Sequence, residues 1–246
     1  MRRPGLSQRA MSLAAGLIAG VCALTGCAAA ATPEPTASAV PRPQPESSAE
    51  TPAIDDPRPL ATRADSAWVA RIAAAAGIPP RAMAAYAGGA LAMAEERPGC
   101  GIGWNTLAAI GFVESEHGTI DGNVLDDEGR ARPGIVGIAL DGSASDAIRD
   151  TDGGVLDGDA VWDRAVGPMQ FIPETWALYA RDGNGDGQAD PQQIDDAVLS
   201  AADYLCEIGG DLTRPDDWIV AVAAYNAHTD FNNRVADAAT FYAGIR

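Results

Sequence analysis

The sequence predicts one mainly α-helical domain behind a signal peptide and an unstructured spacer. Three features support this prediction: Ala-rich stretches that open on proline, an apolar N-terminal run behind Arg2 and Arg3, and a proline-rich region with hardly any large apolar side chains. Proline is favoured at the first position of a helix, and a segment that cannot bury apolar surface stays disordered. We therefore expect a signal peptide over residues 1–26, a disordered Pro/Ala-rich tether over 27–63 and a folded domain over 64–246.

The signal peptide ends in Leu24, Thr25 and Gly26, and Cys27 follows directly. Its apolar run, over about residues 11–24, is too short to span a membrane as a mature helix. The ending resembles the bacterial lipobox, which implies cleavage before Cys27 and lipidation of that cysteine. The alternative is an ordinary secretion signal whose cysteine is incidental. The predicted location is the outer face of the cytoplasmic membrane, where the lipid holds an exported protein.

Charge and cysteine usage restrict the classes of function. The chain has no lysine, a formal net charge of −17 and a pI of about 4.3. Such a surface repels phosphate backbones, so nucleic acid is not an expected partner, whereas clustered carboxylates suit calcium. Apart from the lipidated Cys27, only Cys100 and Cys206 remain after the signal, and an oxidising compartment favours a disulfide between them over two independent buried thiols.

Helices are predicted within the domain from composition, periodicity and proline or glycine punctuation. They cover residues 64–76, 80–96, 104–117, 173–180, 191–208 and 215–225. Residues 118–163 form a Gly/Asp-rich insert with a short apolar run at 135–140, far longer than a normal connection. This insert is predicted to be a functional loop or a small irregular subdomain. Its acidic run at 150–159 could bind an ion or form a solvated loop.

Glu114 is the candidate catalytic residue. Residues 107–113 are apolar nearly all round, so their helix is expected to be buried, and Glu114 follows Leu107 and Ile110 on the same stripe. Desolvation and the negative end of the helix dipole both raise the pKa of a carboxyl placed there. A carboxyl protonated near neutral pH can serve as a general acid. The alternative is a Glu at a frayed helix end that reaches water.

A second pattern predicts a calcium loop. Asp182, Asn184 and Asp186 occupy positions 1, 3 and 5 of an EF-hand-like loop, with Gly187 at the turn and a backbone carbonyl at Gln188. The pattern breaks at position 12, where Gln193 replaces the usual bidentate Glu. Asp195 or Asp196 could supply the closing carboxylate from a longer loop. The alternative is an Asp/Gly turn without an ion.

These motifs together resemble one family. Glu114-Ser115, then residues 167–171 (Gly-Pro-Met-Gln-Phe) and then residues 224–226 (Ala-Tyr-Asn) resemble, in order, the three motifs of lytic transglycosylases. The longer string over 165–176, followed directly by the calcium-type loop, resembles the membrane-bound lytic transglycosylase B branch. The lipobox and the cysteine placement resemble its high-GC Gram-positive lipoproteins. The resemblance covers roughly residues 95–235.

The resemblance implies a lysozyme-like α-helical fold that cleaves the MurNAc–GlcNAc β-1,4 bond of peptidoglycan in the cell wall. Glu114 would be the single acid/base and would yield a 1,6-anhydro product, which fits the lack of a partner carboxylate, since Glu116 is rotated by about 200° around the helix. The glycan strand would be contacted by Ser115, Met169, Gln170, Phe171, Tyr225 and Asn226, with Tyr225 also orienting Glu114. A structural Ca²⁺ would be held by Asp182, Asn184, Asp186, Gln188 and Asp196. No organic cofactor is expected, and the protein is expected to be a monomer.

Other functions remain open from sequence alone. A hydrolysing muramidase would cut the same bond and leave a reducing end. A lipoprotein that binds wall glycan without cutting it would carry Glu114 as a relic, and a calcium-stabilised adhesin would have no glycan affinity.

Overall fold

The computed structural model describes residues 58–143 and 146–246. Its α-helices are α1 (Ser66–Ala76), α2 (Pro80–Glu96), α3 (Trp104–Ser115), α4 (Pro173–Tyr179), α5 (Ile194–Gly209), α6 (Pro215–Tyr225) and α7 (Thr229–Ala243). Its strands are β1 (Val124–Leu125), β2 (Ala131–Arg132), β3 (Val136–Ala139) and β4 (Arg164–Val166). The prediction of a mainly α-helical, lysozyme-like domain is confirmed. The predicted signal peptide, lipobox and most of the tether lie outside the described residues.

Local sequence explains most helix boundaries. Asp65 caps α1 by accepting a hydrogen bond from the Trp68 amide at 2.8 Å, and Gly77 ends the helix with a φ of 70°. A proline opens each of α2, α4 and α6, where the missing N–H leaves no intrahelical bond unmade. The predicted bounds of α2 and α6 are therefore reproduced to the residue.

The core is built around two buried helices. Helix α5 is buried along most of its length and packs against α2, α4 and α6, while α3 packs against α7 and α2. Large side chains without solvent exposure fill the centre: Tyr86, Leu107, Ile110, Met169, Leu199 and Leu205. This packing fixes the C-terminal end of α3, which carries Glu114.

The disulfide between Cys100 and Cys206 is confirmed. It joins the segment before α3 to the last turns of α5, and both cysteines are buried. The amide of Leu212 donates to the Cys100 carbonyl at 2.7 Å, which binds the chain after α5 to the same point.

The insert contains one small antiparallel sheet and the first strand of a second, whose partner β4 directly follows the insert. Strand β1 pairs with β2, with Val124 opposite Arg132, and β3 pairs with β4, with Val136 opposite Val166. The amide of Gly167 donates to the Ile135 carbonyl at 2.9 Å. The β3–β4 ribbon is therefore attached directly to the 167–171 motif.

Several predicted boundaries are wrong. Helix α1 begins at Ser66 rather than at residue 64, α4 ends at Tyr179 rather than at residue 180, and α5 covers Ile194–Gly209 rather than residues 191–208, with Gln193 as its N-cap. Helix α3 ends at Ser115 rather than at residue 117, because Glu116 and His117 adopt left-handed φ values of 52° and 63° before Gly118. The ordered chain begins before residue 64, because Leu60 is fully buried within a 3₁₀ turn over Leu60–Thr62. The tether prediction therefore extends too far towards the domain.

Helix α7 was missed by the sequence analysis. Its composition is polar, yet Phe231, Val235, Ala239 and Tyr242 recur at helical spacing and form its buried side. That spacing is the signal that predicts the helix. Among residues 58–143 and 146–246, none of the helices combines the length and the apolar character needed to cross a bilayer.

Leu60 anchors the start of the domain against a glycine. Its amide donates to the Gly183 carbonyl at 2.9 Å, and its backbone lies directly against Gly88 of α2. A Cβ on Gly88 would overlap with the Leu60 carbonyl group. The close approach of these two backbones therefore requires glycine at position 88.

Gly88→Ala is expected to lower the free energy of unfolding by about 1–3 kcal/mol, because overpacking forces the Leu60 backbone away. This loss outweighs the gain of about 1 kcal/mol from the better helix propensity of alanine. Urea unfolding measures the change. Gly99→Ala is the matched control, since no heavy atom lies within 4 Å of a Cβ built there. Equal stability of the two variants would contradict the proposed packing.

Candidate active site

Glu114 lies in the last turn of α3 and is partly buried. Burial raises the pKa of its carboxyl to about 8, and the nearby charge of Arg234 on α7 offsets part of this effect. Desolvation disfavours the ionised form of a carboxyl, whereas a neighbouring cation favours it. The Glu114 side chain is therefore protonated at neutral pH.

The backbone after Glu114 is held by Ser115. The Ser115 hydroxyl donates to the Pro168 carbonyl at 2.6 Å and accepts from the Gly118 amide at 2.8 Å. Ser115 has no solvent exposure. Its side chain thus connects the end of α3 to the 167–171 motif instead of facing a groove.

His117 connects three helices beneath the site. One ring nitrogen lies 3.2 Å from the hydroxyl of Tyr86 on α2, and the other lies 3.0 Å from the hydroxyl of Tyr242 on α7. Burial lowers the pKa of His117 to about 4, so the ring is neutral at physiological pH. One nitrogen of a neutral imidazole donates and the other accepts, so the two tyrosines take opposite roles. The sequence analysis missed this network because its partners are distant along the chain.

Tyr225, at the end of α6, supports the 167–171 motif from below. Its hydroxyl donates to the Met169 carbonyl at 2.7 Å, and its ring packs edge-on against Phe171. Burial raises the pKa of Tyr225 well above its ordinary value, and the charge of Glu114 adds to the effect. Tyr225 is therefore a neutral phenol within electrostatic reach of Glu114.

Gln170 and Asn226 are the half-buried polar members of the predicted glycan-binding set. Gln170 has a φ of 50°, and its side-chain amide donates to the Gly167 carbonyl at 3.0 Å. The Asn226 side-chain oxygen accepts from the His228 amide at 3.0 Å. No other described residue bonds to the Gln170 oxygen or to the Asn226 side-chain nitrogen, so an acceptor and a donor are available.

The remaining predicted contact residues lie inside the domain. Ser115 and Met169 are not exposed at all, and Phe171 is 3% exposed. In this structure they support the backbone beside Glu114 and offer almost no surface to a sugar. The burial of Ser115, Met169 and Phe171 therefore argues against their predicted direct contact with the glycan. They support the backbone that lies beside Glu114.

The calcium-type loop is closed by hydrogen bonds to its own amides. Asp182 accepts from Gly185 and Gly187, each at 2.7 Å, and the Asp186 carboxylate accepts from the Gln188 amide at 2.8 Å. Asn184 donates to the Asp186 carboxylate at 3.1 Å. The hydrogen bonds therefore involve the alternate positions Asp182, Asn184 and Asp186, which the EF-hand pattern assigns to calcium ligands.

Asp196 is the carboxylate that faces this loop from α5. It is fully buried and accepts from the amides of Gly183 and Asp190 at 2.8 and 2.9 Å. Burial raises its pKa to about 7, and the charges of Asp182 and Asp195 act in the same direction. Carboxylate oxygens are ligands that calcium prefers, although those of Asp182, Asp186 and Asp196 do not all lie within 4.8 Å of one another in this structure.

The neighbours of Asp196 have other roles. Asp195 is held by Arg81 through two hydrogen bonds of 2.9 and 2.6 Å, and it lines the same pocket as Asn184 and Asp186. Gln193, at the position where the sequence pattern breaks, caps α5 and donates to the Glu128 carbonyl at 2.9 Å. Gln193, which stands where the EF-hand pattern has a Glu, therefore caps the N-terminus of α5.

The insert contains a second acidic group. Oxygen atoms of Asp150, Asp152 and Asp163 lie within 4.8 Å of one another, which no other set of three potential metal-binding side chains does among the described residues. All three carboxylates accept hydrogen bonds from the surrounding loop, including one from the Thr151 amide to Asp163 at 2.9 Å. These hydrogen bonds hold the three carboxylates close together without the need for an ion.

A cavity of about 670 Å³ lies beside the end of α3. Its lining includes Phe112, Glu116 and His117 from α3 and the residues after it, together with Arg234 and Phe241 from α7. Glu114 does not line the cavity. Arg234 is shared, since it lines the cavity and its charge also acts on Glu114.

Comparison with known proteins gives one match. Residues 147–241 match the family model described as the transglycosylase SLT domain. The matched region contains the 167–171 motif, the calcium-type loop and the 224–226 motif, and it excludes Glu114. No curated protein and no solved structure matches the chain significantly. The family match supports lytic transglycosylase activity towards peptidoglycan in general, and therefore action outside the cytoplasm.

Proposed function

We propose that this protein cleaves the MurNAc–GlcNAc β-1,4 bond of peptidoglycan and forms a 1,6-anhydro-MurNAc end, with Glu114 as the only general acid and base. The observation that carries this proposal is the partly buried Glu114, whose pKa of about 8 is set by burial and by a cation. No carboxylate of the described residues contributes to that shift. The proposed mechanism uses the substrate's own C6 hydroxyl in place of a second carboxylate, as in glycosidases whose substrate assists the reaction.

The proton moves in two steps. First the Glu114 carboxyl donates its proton to the glycosidic oxygen as the bond from C1 of MurNAc to that oxygen breaks, so the leaving strand gains a hydroxyl. Then the C6 hydroxyl of MurNAc bonds to C1 and gives its proton to the Glu114 carboxylate, which closes the anhydro ring. A group with a pKa near the working pH serves in both directions.

The surrounding residues position the substrate and the acid. The side-chain oxygen of Gln170 can accept from a sugar hydroxyl, and the side-chain nitrogen of Asn226 can donate to a hydroxyl or N-acetyl oxygen. Tyr225 and Ser115 act indirectly, because they hold the backbone of residues 167–171 against the end of α3. Met169 and Phe171 fill the space beneath that backbone.

Product analysis tests the reaction. Mass spectrometry of digested peptidoglycan distinguishes a 1,6-anhydro end from the reducing end that a hydrolysing muramidase leaves. Anhydro ends are expected. Reducing ends alone would establish hydrolysis, and the absence of any cleavage would favour a wall-binding lipoprotein.

The pH profile gives a separate prediction. Cleavage is expected to fall as the pH rises through the pKa of Glu114, about 8, because the acid must be protonated to act. The charge of Arg234 lowers this pKa, and Tyr225 on α6 faces Glu114 as a neutral phenol. Arg234→Gln should therefore move the alkaline limb of kcat/KM to higher pH. Arg71→Gln, an exposed change on α1, should leave the limb in place. An alkaline limb that stays or moves to lower pH in Arg234→Gln would contradict this electrostatic role.

Calcium is part of the proposal as a structural ion. Side-chain oxygens of Asp182, Asn184, Asp186 and Asp196 and the backbone carbonyl of Gln188 would hold it. The buried Asp196, which lies within electrostatic reach of the Asp182 carboxylate, supports this assignment. The ion would order the loop that precedes α5 and would take no part in the proton transfer.

The N-terminal part of the proposal concerns location. A lipid on Cys27 would hold the protein on the outer face of the cytoplasmic membrane, and the segment before residue 58 would let the domain reach the wall. Lipidation is tested by metabolic labelling with a fatty-acid analogue, in which Cys27→Ser should lose the label.

A further inference from the structure

Gly137 of β3 lies directly against the side chain of Gln170. A Cβ at position 137 would lie 3.0 Å from the Oε1 atom of Gln170, whereas ordinary van der Waals contacts begin at 3.4 Å. Gly137 does not have a positive φ, so its backbone conformation is open to other residues. The lack of a side chain at position 137 is therefore what leaves room for the Gln170 oxygen.

The side-chain amide of Gln170 is fixed on two sides. Its nitrogen donates to the Gly167 carbonyl at 3.0 Å, and its oxygen lies over Gly137. A methyl group at position 137 would displace the oxygen, and the planar amide would turn as one unit. The direction in which the Gln170 oxygen accepts a hydrogen bond therefore depends on Gly137.

A side chain of the neighbouring strand holds the backbone at Gly137. The register of the β3–β4 pair shifts between Val136 and Ala139, so the ladder is irregular at this point. The Arg164 guanidinium donates to the Gly137 carbonyl at 3.2 Å. Arg164 therefore fixes β3 where the regular ladder is interrupted.

The acidic run of the insert holds Arg164 in turn. The Asp159 carboxylate accepts from Nε of Arg164 at 3.0 Å and lies 2.9 Å from its Nη2 atom. The Asp157 carboxylate accepts from the Arg164 amide at 2.6 Å. Charge-assisted hydrogen bonds of this kind are short and strong, so they fix the guanidinium group. A connected path thus leads from the insert through Arg164 and Gly137 to Gln170.

We propose that Gly137 and Arg164 are positioning residues that set the affinity for glycan through Gln170. Arg164, oriented by Asp159, fixes the backbone of β3, and the missing side chain at Gly137 lets the Gln170 oxygen face the sugar. This inference rests on the proposed function, in which that oxygen accepts from a sugar hydroxyl. It gives the acidic run of the insert a role that requires no ion.

The NMR signals of the Gln170 side-chain amide test the geometry without any glycan. They are assigned by their absence in Gln170→Ala. Gly137→Ala is expected to shift them and to keep or raise the melting temperature, because glycine weakens a strand. Gly134→Ala is the matched control, since a Cβ there would meet the Gln192 side chain at an ordinary 3.4 Å. Unshifted signals in Gly137→Ala would overturn the inference.

Kinetics on soluble glycan strands test the consequence for the substrate. Gly137→Ala is expected to raise KM about threefold to tenfold, as for the loss of one hydrogen bond, and to leave kcat unchanged because Glu114 keeps its position. Gly134→Ala should match wild type. In a Gln170→Ala background, Gly137→Ala should raise KM no further, because the oxygen that it displaces is absent. Additive losses, or an unchanged KM in Gly137→Ala, would contradict the positioning role.

Arg164→Met tests the path from the insert. It is expected to raise KM in the same range, because the Gly137 carbonyl loses its donor. Arg132→Met is the control, since Arg132 forms a similar pair with Asp126, in which Nε donates to the carboxylate at 2.9 Å. This control should leave KM unchanged. Equal KM values for the two variants would remove Arg164 from the path.

Binding without turnover separates this inference from the proposed reaction. A GlcNAc–MurNAc tetrasaccharide is titrated by calorimetry into Glu114→Gln and into the same variant with Gly137→Ala added. The added change should weaken binding about threefold to tenfold. Equal affinities, or no binding, would overturn the inference even where wild type cleaves peptidoglycan. Weakened binding together with a wild type that cleaves nothing would instead overturn the reaction and leave the positioning role in place.

Discussion

Glu114→Gln is expected to reduce peptidoglycan cleavage by about 10²–10⁴-fold, because an amide can neither donate the proton to the glycosidic oxygen nor take one from the C6 hydroxyl. Loss near the upper end is expected, since one side chain serves both steps. The rate of formation of anhydro ends, measured by mass spectrometry, gives the effect. Glu116→Gln, exposed and two residues further on, is the control. It should cleave peptidoglycan at the wild-type rate.

The thermal stability of Glu114→Gln distinguishes a loss of catalytic function from a failure to fold. The proton on Glu114 stabilises the fold fully below the ordinary Glu pKa of 4.5, and this contribution is lost as the pH rises to about 8. Glutamine carries no such proton. The melting temperature of Glu114→Gln relative to wild type should therefore rise with pH across this window. A variant that is stable but cleaves at the wild-type rate would exclude Glu114 as the acid.

Calcium removal should have the largest effect on stability. Calcium at about 100 times its Kd is expected to stabilise the folded state by about 2.7 kcal/mol. For a domain of this size, such a gain raises Tm by about 5–10 °C. Scanning calorimetry with calcium and with a chelator measures the difference. Asp186→Ala should abolish it, because that change removes a ligand from the loop.

The acidic group of the insert supplies the matched control. Asp152→Ala removes a carboxylate from the set formed with Asp150 and Asp163, and it should keep the full calcium response. A response lost in Asp152→Ala and kept in Asp186→Ala would move the ion to the insert. No response in wild type would remove calcium from the proposed function.

Features set by neighbouring residues were predictable from sequence. Pro80 and Pro215 gave the bounds of α2 and α6, and Glu114 was identified as a carboxyl on an apolar stripe. Burial and the resulting high pKa of Glu114 follow from that stripe. The pairing of Cys100 with Cys206 followed from their being the cysteines left after the signal peptide.

Features set by distant residues were not predictable in this way. His117 leaves the helical conformation where Tyr86 and Tyr242 hold its ring, and neither tyrosine is near it in sequence. Leu60 is ordered because Gly88 leaves room for its backbone. Arg234, which adjusts the pKa of Glu114, lies on a helix whose polar composition hid its buried side. Each of these depends on tertiary packing.

The anchoring of Leu60 has a mechanical consequence. Any tension applied through the N-terminal segment enters the domain at Leu60, whose amide is bonded to Gly183 and whose backbone presses on α2. The load then falls on the calcium-type loop and on the middle of α2, which also carries Tyr86, the partner of His117 after α3. If a lipid on Cys27 holds the protein at the membrane, as we propose, tension on the N-terminal segment would therefore act first on the contacts of Leu60 with Gly183 and Gly88.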